Sequence, residues 1–334
     1  MTVHGISRQG LTRRRFVSVL AAAGAVQLIS PRSLAGGVRT FGWEGIALGA
    51  HASLTLQHPD EGAAKSAIAA CLDEVARLEA IFSLHRPDSA LVRLNACGRL
   101  DAAPADLRVL LAEALTLAEL SGGAFDPTVQ PLWALYAQHF SSSGADPEGP
   151  APDVIGRAKA LIDWRKVEIE NAGIRLREPD MAITLNGIAQ GYITDRVGAL
   201  LQDRGFDHVL VNMGEQLALG PKWDGAAWRV GIANPGAPET VLTELSLSRG
   251  AIATSGGYDF HFDPAGRFTH ILDPSTGAPA RQWASVTVVT DRAAAADGLS
   301  TALTVAPAER ASLILPQGAT AYVVSAGSES GYWL

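Results

Sequence analysis

The sequence predicts an α+β fold: one domain of mixed or antiparallel sheets with packed helices. Three observations carry this. Strand-like and helix-like segments alternate irregularly and several strands are adjacent, unlike the regular alternation of a doubly wound sheet. No internal repeat or long linker divides the 334 residues. The composition is globular, 47% hydrophobic and 18% charged with 34 glycines, and long enough for one large domain. A formal net charge of −7 leaves no basic footprint, so nucleic acid is not an expected partner.

Residues 1–35 read as an export signal. Thr12-Arg13-Arg14-Arg15-Phe16-Val17 is a twin-arginine motif, Val17 to Ile29 is mildly apolar, and Ser33-Leu34-Ala35 offers small residues for cleavage. The apolar run is too short to span a bilayer of about 30 Å. Cleavage would remove Arg8, Arg13, Arg14, Arg15 and Arg32 and no acid, taking the charge from −7 to about −12. The expectation is a soluble periplasmic protein with no transmembrane span once processed. Neither cysteine lies in the signal, so no lipid anchor is expected. Cys71 and Cys97 fall in the mature part, where oxidising conditions permit a bridge but nothing brings the two together.

The elements follow in order. WEGIALGAHASLTLQ (43–57) is a strand, a glycine turn and a second strand. Ala64, Ile68, Cys71, Leu72, Val75, Leu78 and Phe82 repeat every three or four positions, predicting a helix over 61–82. Pro104 to Leu120 is another helix, ended by Gly122-Gly123. FDPTVQPLWALY (125–136) precedes a polar, Pro-rich loop over 141–153. A helix over 154–161 leads to a strand pair, 166–170 and 173–177, turning at Asn171-Ala172. From Ala182 the pattern is strand, glycine turn and a helix to residue 205. HVLVNMG (208–214), WRVGIANP (228–235), VLTELSLS (241–248) and AIATSG (251–256) are strands. ASVTVVT (284–290) feeds a helix over 294–305, and AYVVSA (321–326) is the last strand.

The chemistry concentrates in a few blocks. AIATSGGYDFHFDPAGRFTHILDPSTG (251–277) holds two histidines, two Asp-Pro pairs and several hydroxyls among glycines and prolines. Gly256 and Gly257 would let a backbone approach a ligand, since glycine tolerates positive φ. His270 precedes Ile271-Leu272 and is expected at a strand start, aimed into a pocket; ordinary turns between strands are the plainer reading. Asp297 and Thr301 stand four apart, so a helix projects both from one face. Alone they are a weak cation site or a cap with a surface aspartate. A backbone carbonyl and substrate phosphates would make them a magnesium site. TLNGIAQGY (184–192) sets Gly187 and Gly191 at a strand–helix junction suited to a diphosphate or to helix packing. Asp126, before a proline at a helix start, would bond a ribose or base edge, or cap the helix.

In this order the blocks resemble the ApbE family, the flavin transferases that attach FMN covalently to other proteins. FSLHRPDSALVRLN (82–95), GGAFDPTVQPL (122–132), TLNGIAQGYITDRV (184–197), AIATSGGYDF with THILDPSTG (251–277) and VTVVTDRAAAADGLSTAL (286–303) carry the likeness across nearly the whole chain. It implies a single ApbE-like, T-fold-related domain over 40–334. It implies magnesium-dependent splitting of FAD at its diphosphate, with FMN passing to a Thr or Ser hydroxyl and AMP leaving. Asp297, Thr301 and the Gly187 carbonyl would hold magnesium, and His270 would be the general base. Leu48 in its glycine turn and His85 would line the flavin side. Ala124, Phe125 and Asp126 would meet the adenine end, with Thr184, Gln190, Ser255, Gly256 and Ile271 completing the FAD site. The implied partner is an acceptor flavoprotein, membrane-bound and respiratory or serving nitrous oxide reduction.

Several residues depart from the family pattern. Thr184 stands where the family has an aspartate, Gln190 where Lys or Glu is frequent, Leu48 for a methionine and His85 for a tyrosine. The Met213-Gly214-Glu215 turn has one glycine where two are common. These departures keep two alternatives open: a non-catalytic flavin carrier, and an FAD diphosphatase in which water replaces the acceptor hydroxyl.

Overall fold

Helices form where the sequence repeats apolar residues every three or four positions, and strands where it alternates or runs apolar. The computed structural model describes residues 27–33, 37–328 and 330–334; the twin-arginine motif and Leu34-Ala35 lie outside them. The chain begins with β1 (Gln27–Ser33), β2 (Arg39–Ala47), β3 (Ala50–His58), α1 (Glu61–Phe82) and α2 (Ala90–Cys97). Next come β4 (Arg99–Leu100), α3 (Ala105–Ser121), α4 (Gln130–Ser141), α5 (Pro152–Lys159), β5 (Val167–Glu170) and β6 (Gly173–Leu176). They are followed by α6 (Ala189–Asp203), β7 (Val209–Asn212), β8 (Gln216–Ala218), β9 (Trp228–Asn234), β10 (Ala237–Leu247) and β11 (Gly250–Gly256). The chain closes with β12 (Trp283–Thr290), α7 (Ala293–Val305), α8 (Ala311–Ile314), β13 (Thr320–Ser325) and β14 (Gly331–Trp333).

One nine-stranded sheet runs in the order β1-β2-β3-β7-β8-β11-β12-β13-β14, every pairing antiparallel. The small sheet β4-β6-β5 and the ribbon β9–β10 stand beside it. Helix α7 packs on β11 and β12, and α6 lies against both α7 and α1. The main core fills this space, with Leu54, Ile68, Leu78, Ile193, Val197, Val286 and Leu303 buried. This is the α+β domain that the segment order predicts. No helix among the described residues is long and apolar enough to cross a membrane. Cys71 is buried and Cys97 exposed, and both are free thiols.

Local chemistry explains the element ends. The β2–β3 hairpin turns through Leu48 and Gly49 at φ 47° and 84°, the positive pair that a two-residue turn demands. Leu48 takes this conformation without being glycine, and its N–H donates to Glu79 Oε1 on α1 at 2.7 Å. Asp60 caps α1 by accepting from Ala63 N–H at 3.0 Å, and Gly122 ends α3 at φ 66°.

Three expectations need correction. Residues 182–185 are extended but form no strand. The Asn95 side chain takes the place of a neighbouring strand, accepting from Ile183 N–H at 2.7 Å and donating to its carbonyl at 2.8 Å. The sheet does not end at residue 325, because β14 pairs with β13. His270 begins no strand: only the isolated bridges His261–Thr269 and Leu272–Pro279 order its neighbourhood. Helix α2, nucleated by Ser89 accepting from Val92 N–H at 3.0 Å, is an addition to the expected elements. So are the short strands β4 and β8. β1 falls within the segment expected to be a leader.

Candidate active site at the α6–α7 junction

The turn before α6, the loop before α4, strand β11 and helix α7 converge on one point. Asp297 is buried at 4% exposure, and its Oδ2 accepts from Gly191 N–H at 3.0 Å. One turn along α7, Thr301 Oγ1 donates to the Gly187 carbonyl at 3.5 Å. Ser255 on β11 lies 2.7 Å from Ser300 Oγ and 3.2 Å from Thr301 Oγ1. A Cβ on Gly187 would stand 3.0 Å from Thr301 Oγ1 and 3.3 Å from the Phe125 ring. Five expected site residues, Phe125, Gly187, Ser255, Asp297 and Thr301, therefore meet here.

Asp297 does not cap α7. That role belongs to Asp195 on α6, whose carboxylate accepts from Ala293 N–H at 2.7 Å and Ala294 N–H at 3.1 Å, two of the N–H groups a helix leaves unpaired at its start. Gly191 serves close packing: a Cβ there would lie 2.3 Å from the Ala293 carbonyl oxygen.

The electrostatics suit a cation. Burial pushes the Asp297 carboxyl up to about 7, against the pull of the Gly191 N–H, with Asp195 adding to the rise. Glu215, in the turn between β7 and β8, is raised well above its ordinary value, first by burial and then by Asp297. No basic side chain acts appreciably on either carboxyl. Among the described residues no group of three or more His, Cys, Asp or Glu is set to hold a metal. The donors here are one carboxylate, one hydroxyl and one carbonyl, all hard oxygens that fit magnesium when phosphate oxygens complete the shell.

His270 sits partly buried beside this junction in sequence order but outside its hydrogen bonds. Its N–H and its Nδ1 both face the Phe260 carbonyl, at 3.3 and 3.2 Å. A carbonyl only accepts, so the neutral ring carries its proton on Nδ1 and leaves the Nε2 lone pair available. Burial lowers the imidazole below 6.5, opposed by the Phe260 carbonyl and reinforced by His261. That direction favours the neutral ring, the form a base needs.

The remaining expected residues divide. Asp126 Oδ1 accepts from Thr128 N–H at 2.8 Å and from its hydroxyl at 2.6 Å; of the two readings left open, the cap is present. Thr184 Oγ1 accepts from Asn186 N–H at 3.2 Å, so the threonine retains a side-chain turn while lacking a carboxylate. Gln190 packs over Gly214, where a Cβ would lie 2.7 Å from its Cδ. Ala124 is half-buried next to Phe125, and Ile271 is buried. Leu48 and His85 lie near the C-terminal end of α1, and no hydrogen bond among the described residues joins either to the Asp297 cluster. Gly256 corrects its expectation. Its φ is −155°, ordinary extended backbone, and a Cβ would meet the Tyr258 ring at 2.3 Å. Gly257 likewise meets Thr269 at 2.8 Å. Both glycines make room for the protein's own side chains.

Glu215 and Asp195 went unremarked as site residues in the sequence. A glutamate directly after the apolar run 208–214 was a signal for the first. Nothing local marks Asp195 as the cap of a helix 98 residues away.

An antiparallel α+β domain with a buried oxygen-rich helix junction belongs here to a family of transferases. The chain belongs to the ApbE family, whose family model matches residues 48–323. An FAD:protein FMN transferase of Treponema pallidum is 34% identical over 274 residues, covering 74% of each chain. One from Vibrio cholerae is 33% identical over 236 residues, covering 69% of this chain and 70% of that one. The crystal structure of the Pseudomonas stutzeri flavinyl transferase ApbE, in its apo form, superposes with a TM-score of 0.75 at 29% identity. It covers 89% of this chain, which in turn spans 94% of it.

Proposed function

We propose that this protein transfers FMN from FAD to a Thr or Ser hydroxyl of an acceptor flavoprotein, releasing AMP, and that it requires magnesium. The observation that carries the reading is the convergence of Asp297, Thr301 and the Gly187 carbonyl at one buried junction. Magnesium bound there would neutralise diphosphate charge and ease departure of AMP. The residues divide the remaining tasks. The Gly187–Gly191 turn, at the start of α6, brings backbone groups to the diphosphate. His270 Nε2 takes the proton of the acceptor hydroxyl as its oxygen bonds to the FMN phosphorus. The bond from that phosphorus to the bridging oxygen breaks, and the oxygen leaves with AMP. Phe125 and Ser255 wall the junction, while Leu48 and His85 are assigned to the flavin end. Asp126 supports the adenine end by fixing the loop that carries Ala124 and Phe125.

Thr184 keeps the side-chain turn, accepting from Asn186 N–H, and the carrier reading is separated from the transferase by turnover alone. The twin-arginine motif supports export to the periplasm, where a membrane-bound respiratory or nitrous-oxide-reduction flavoprotein is the acceptor class assigned. The test is incubation with FAD, Mg2+ and the flavin-carrying domain of such a flavoprotein. An FMN-sized mass gain on one threonine or serine, lost on chelation, is expected. AMP and free FMN formed without acceptor would assign the diphosphatase activity instead, and FAD binding with no turnover would assign the carrier.

A further inference from the structure

Helix α7 and strand β11 set three hydroxyls in a row beside the proposed magnesium donors. The direction of each hydrogen bond follows from what its neighbour can accept. Ser300 Oγ lies 2.9 Å from the carbonyl oxygen of Asp297, three residues back on α7. A carbonyl only accepts, so Ser300 donates its single proton there. Ser300 is fully buried, and water does not compete for that proton. Its oxygen is then the acceptor for Ser255 Oγ, 2.7 Å away on β11, an ordinary O–H···O length. With the Ser255 proton committed to Ser300, Ser255 Oγ faces Thr301 Oγ1, 3.2 Å away, as an acceptor.

Thr301 has one proton and two oxygens beside it that can take that proton. The Gly187 carbonyl stands at 3.5 Å, outside the firm O–H···O range of about 2.5–3.0 Å. Ser255 Oγ stands closer. The choice matters because Thr301 Oγ1 and the Gly187 carbonyl are two of the three oxygens assigned to magnesium. A proton between them occupies the side on which both oxygens would meet the cation. A proton turned to Ser255 leaves a lone pair on each oxygen free for it.

We propose that Ser255 and Ser300 are positioning residues for the metal. The chain from Thr301 through Ser255 and Ser300 to the Asp297 carbonyl draws the Thr301 proton away from Gly187 and presents both oxygens to magnesium. The inference rests on the magnesium-dependent transferase reading above. The last acceptor in the chain is the main chain of Asp297, whose carboxylate is the third assigned donor, so one helical turn fixes both ends. Breaking the chain at either serine has the same result. Ser255→Ala removes the acceptor of the Thr301 proton. Ser300→Ala removes the acceptor of the Ser255 proton, which then turns on Thr301 and sends the Thr301 proton back to the Gly187 carbonyl.

The experiment titrates Mg2+ into the full-length protein holding FAD and follows flavin fluorescence. Each single substitution should raise the Mg2+ concentration at half-response by about 10–100-fold, the range for losing a group that orients a metal ligand. The double substitution should do no worse than the more affected single one, because both break one chain. FAD affinity without Mg2+ should stay at the wild-type value in Ser300→Ala, whereas general loosening of α7 would lower it together with the Tm. An unchanged half-response in both single variants would overturn the proposal. So would additive losses in the double variant, or a loss of metal-free FAD affinity matching the loss of Mg2+ response. The expected variant losses without FMN transfer to an acceptor would support the chain and overturn the transferase reading. A wild-type protein with no Mg2+ response would overturn both.

Discussion

The α6–α7 junction and the segment from Gly257 to Gln282 carry the two halves of the proposed site but are built in opposite ways. At the junction, two regular helices lock through buried groups: Asp195 on the start of α7, Gly191 N–H on Asp297, and no room for a Cβ at Gly191. The 257–282 segment has one 3-10 turn at Gly257–Asp259, two isolated bridges, turns stapled by Asp263 and Asp273, and a satellite cluster of Phe262, Phe268, Tyr136 and Leu272. The difference teaches where each task belongs. Holding a metal and a diphosphate needs fixed donors in a buried place. Meeting a protein acceptor would need a group outside that locked junction, the task proposed for His270.

The sharpest way to break this division is to remove one group from each half. Asp297→Ala and His270→Ala should each lower transfer by roughly a thousandfold or more, within the range for loss of a metal ligand or general base. They should part in binding: His270→Ala keeps metal-dependent FAD binding, and Asp297→Ala loses it.

Stability against pH tests the junction alone. The folded-state value of Asp297 is raised from 3.8 to about 7, so between those values the folded state holds a proton that the unfolded chain has released. Metal-free stability should therefore fall as pH rises through this window, by up to about 4 kcal/mol, and level off above it. Asp297→Asn should flatten that slope in thermal melts taken from pH 4 to 8. A slope unaltered by the substitution would place the titration elsewhere.

Backbone substitutions come next in size. Gly191→Ala forces a Cβ against the Ala293 carbonyl and should cost about 1–3 kcal/mol, seen as a lower Tm. Asp195→Ala uncaps α7 and should cost about 1–2 kcal/mol and weaken Mg2+ binding through tilt of the helix. Gly257→Ala, facing the Thr269 side chain and no backbone atom within 4 Å among its three nearest neighbours, should cost less than either. The reverse ranking would contradict the contrast between a rigid junction and an adjustable segment. The smallest expected effect is the acid limb of transfer. Burial lowers His270 below 6.5, so at Mg2+ concentrations that keep Asp297 ionised, activity should hold down to that pH and fall only beneath it.

The sequence made the junction half readable and left the other half dark, for physical reasons. Periodicity locates α1, α3 and α7, and the four-residue spacing of Asp297 and Thr301 already puts both on one face of a helix. What spacing cannot supply is the partner across the chain: Asp195 caps a helix 98 residues on, and Gly191 meets Asp297 106 residues on. The glycines of 256–257 suggested a bare backbone, whereas their space is filled by Tyr258 and Thr269. Residues 182–185 mimic a strand in their apolar pattern, but the Asn95 side chain and no strand is the partner of Ile183. The surroundings of His270 follow from packing of irregular loops, which no period encodes.

The division is tested most directly by titrating FAD into His270→Ala and Asp297→Ala side by side, with and without Mg2+, and following flavin fluorescence. The account predicts wild-type affinity and a wild-type response to Mg2+ for His270→Ala, and no response to Mg2+ for Asp297→Ala. A full Mg2+ response in Asp297→Ala, in a protein that melts like the wild type, would contradict it.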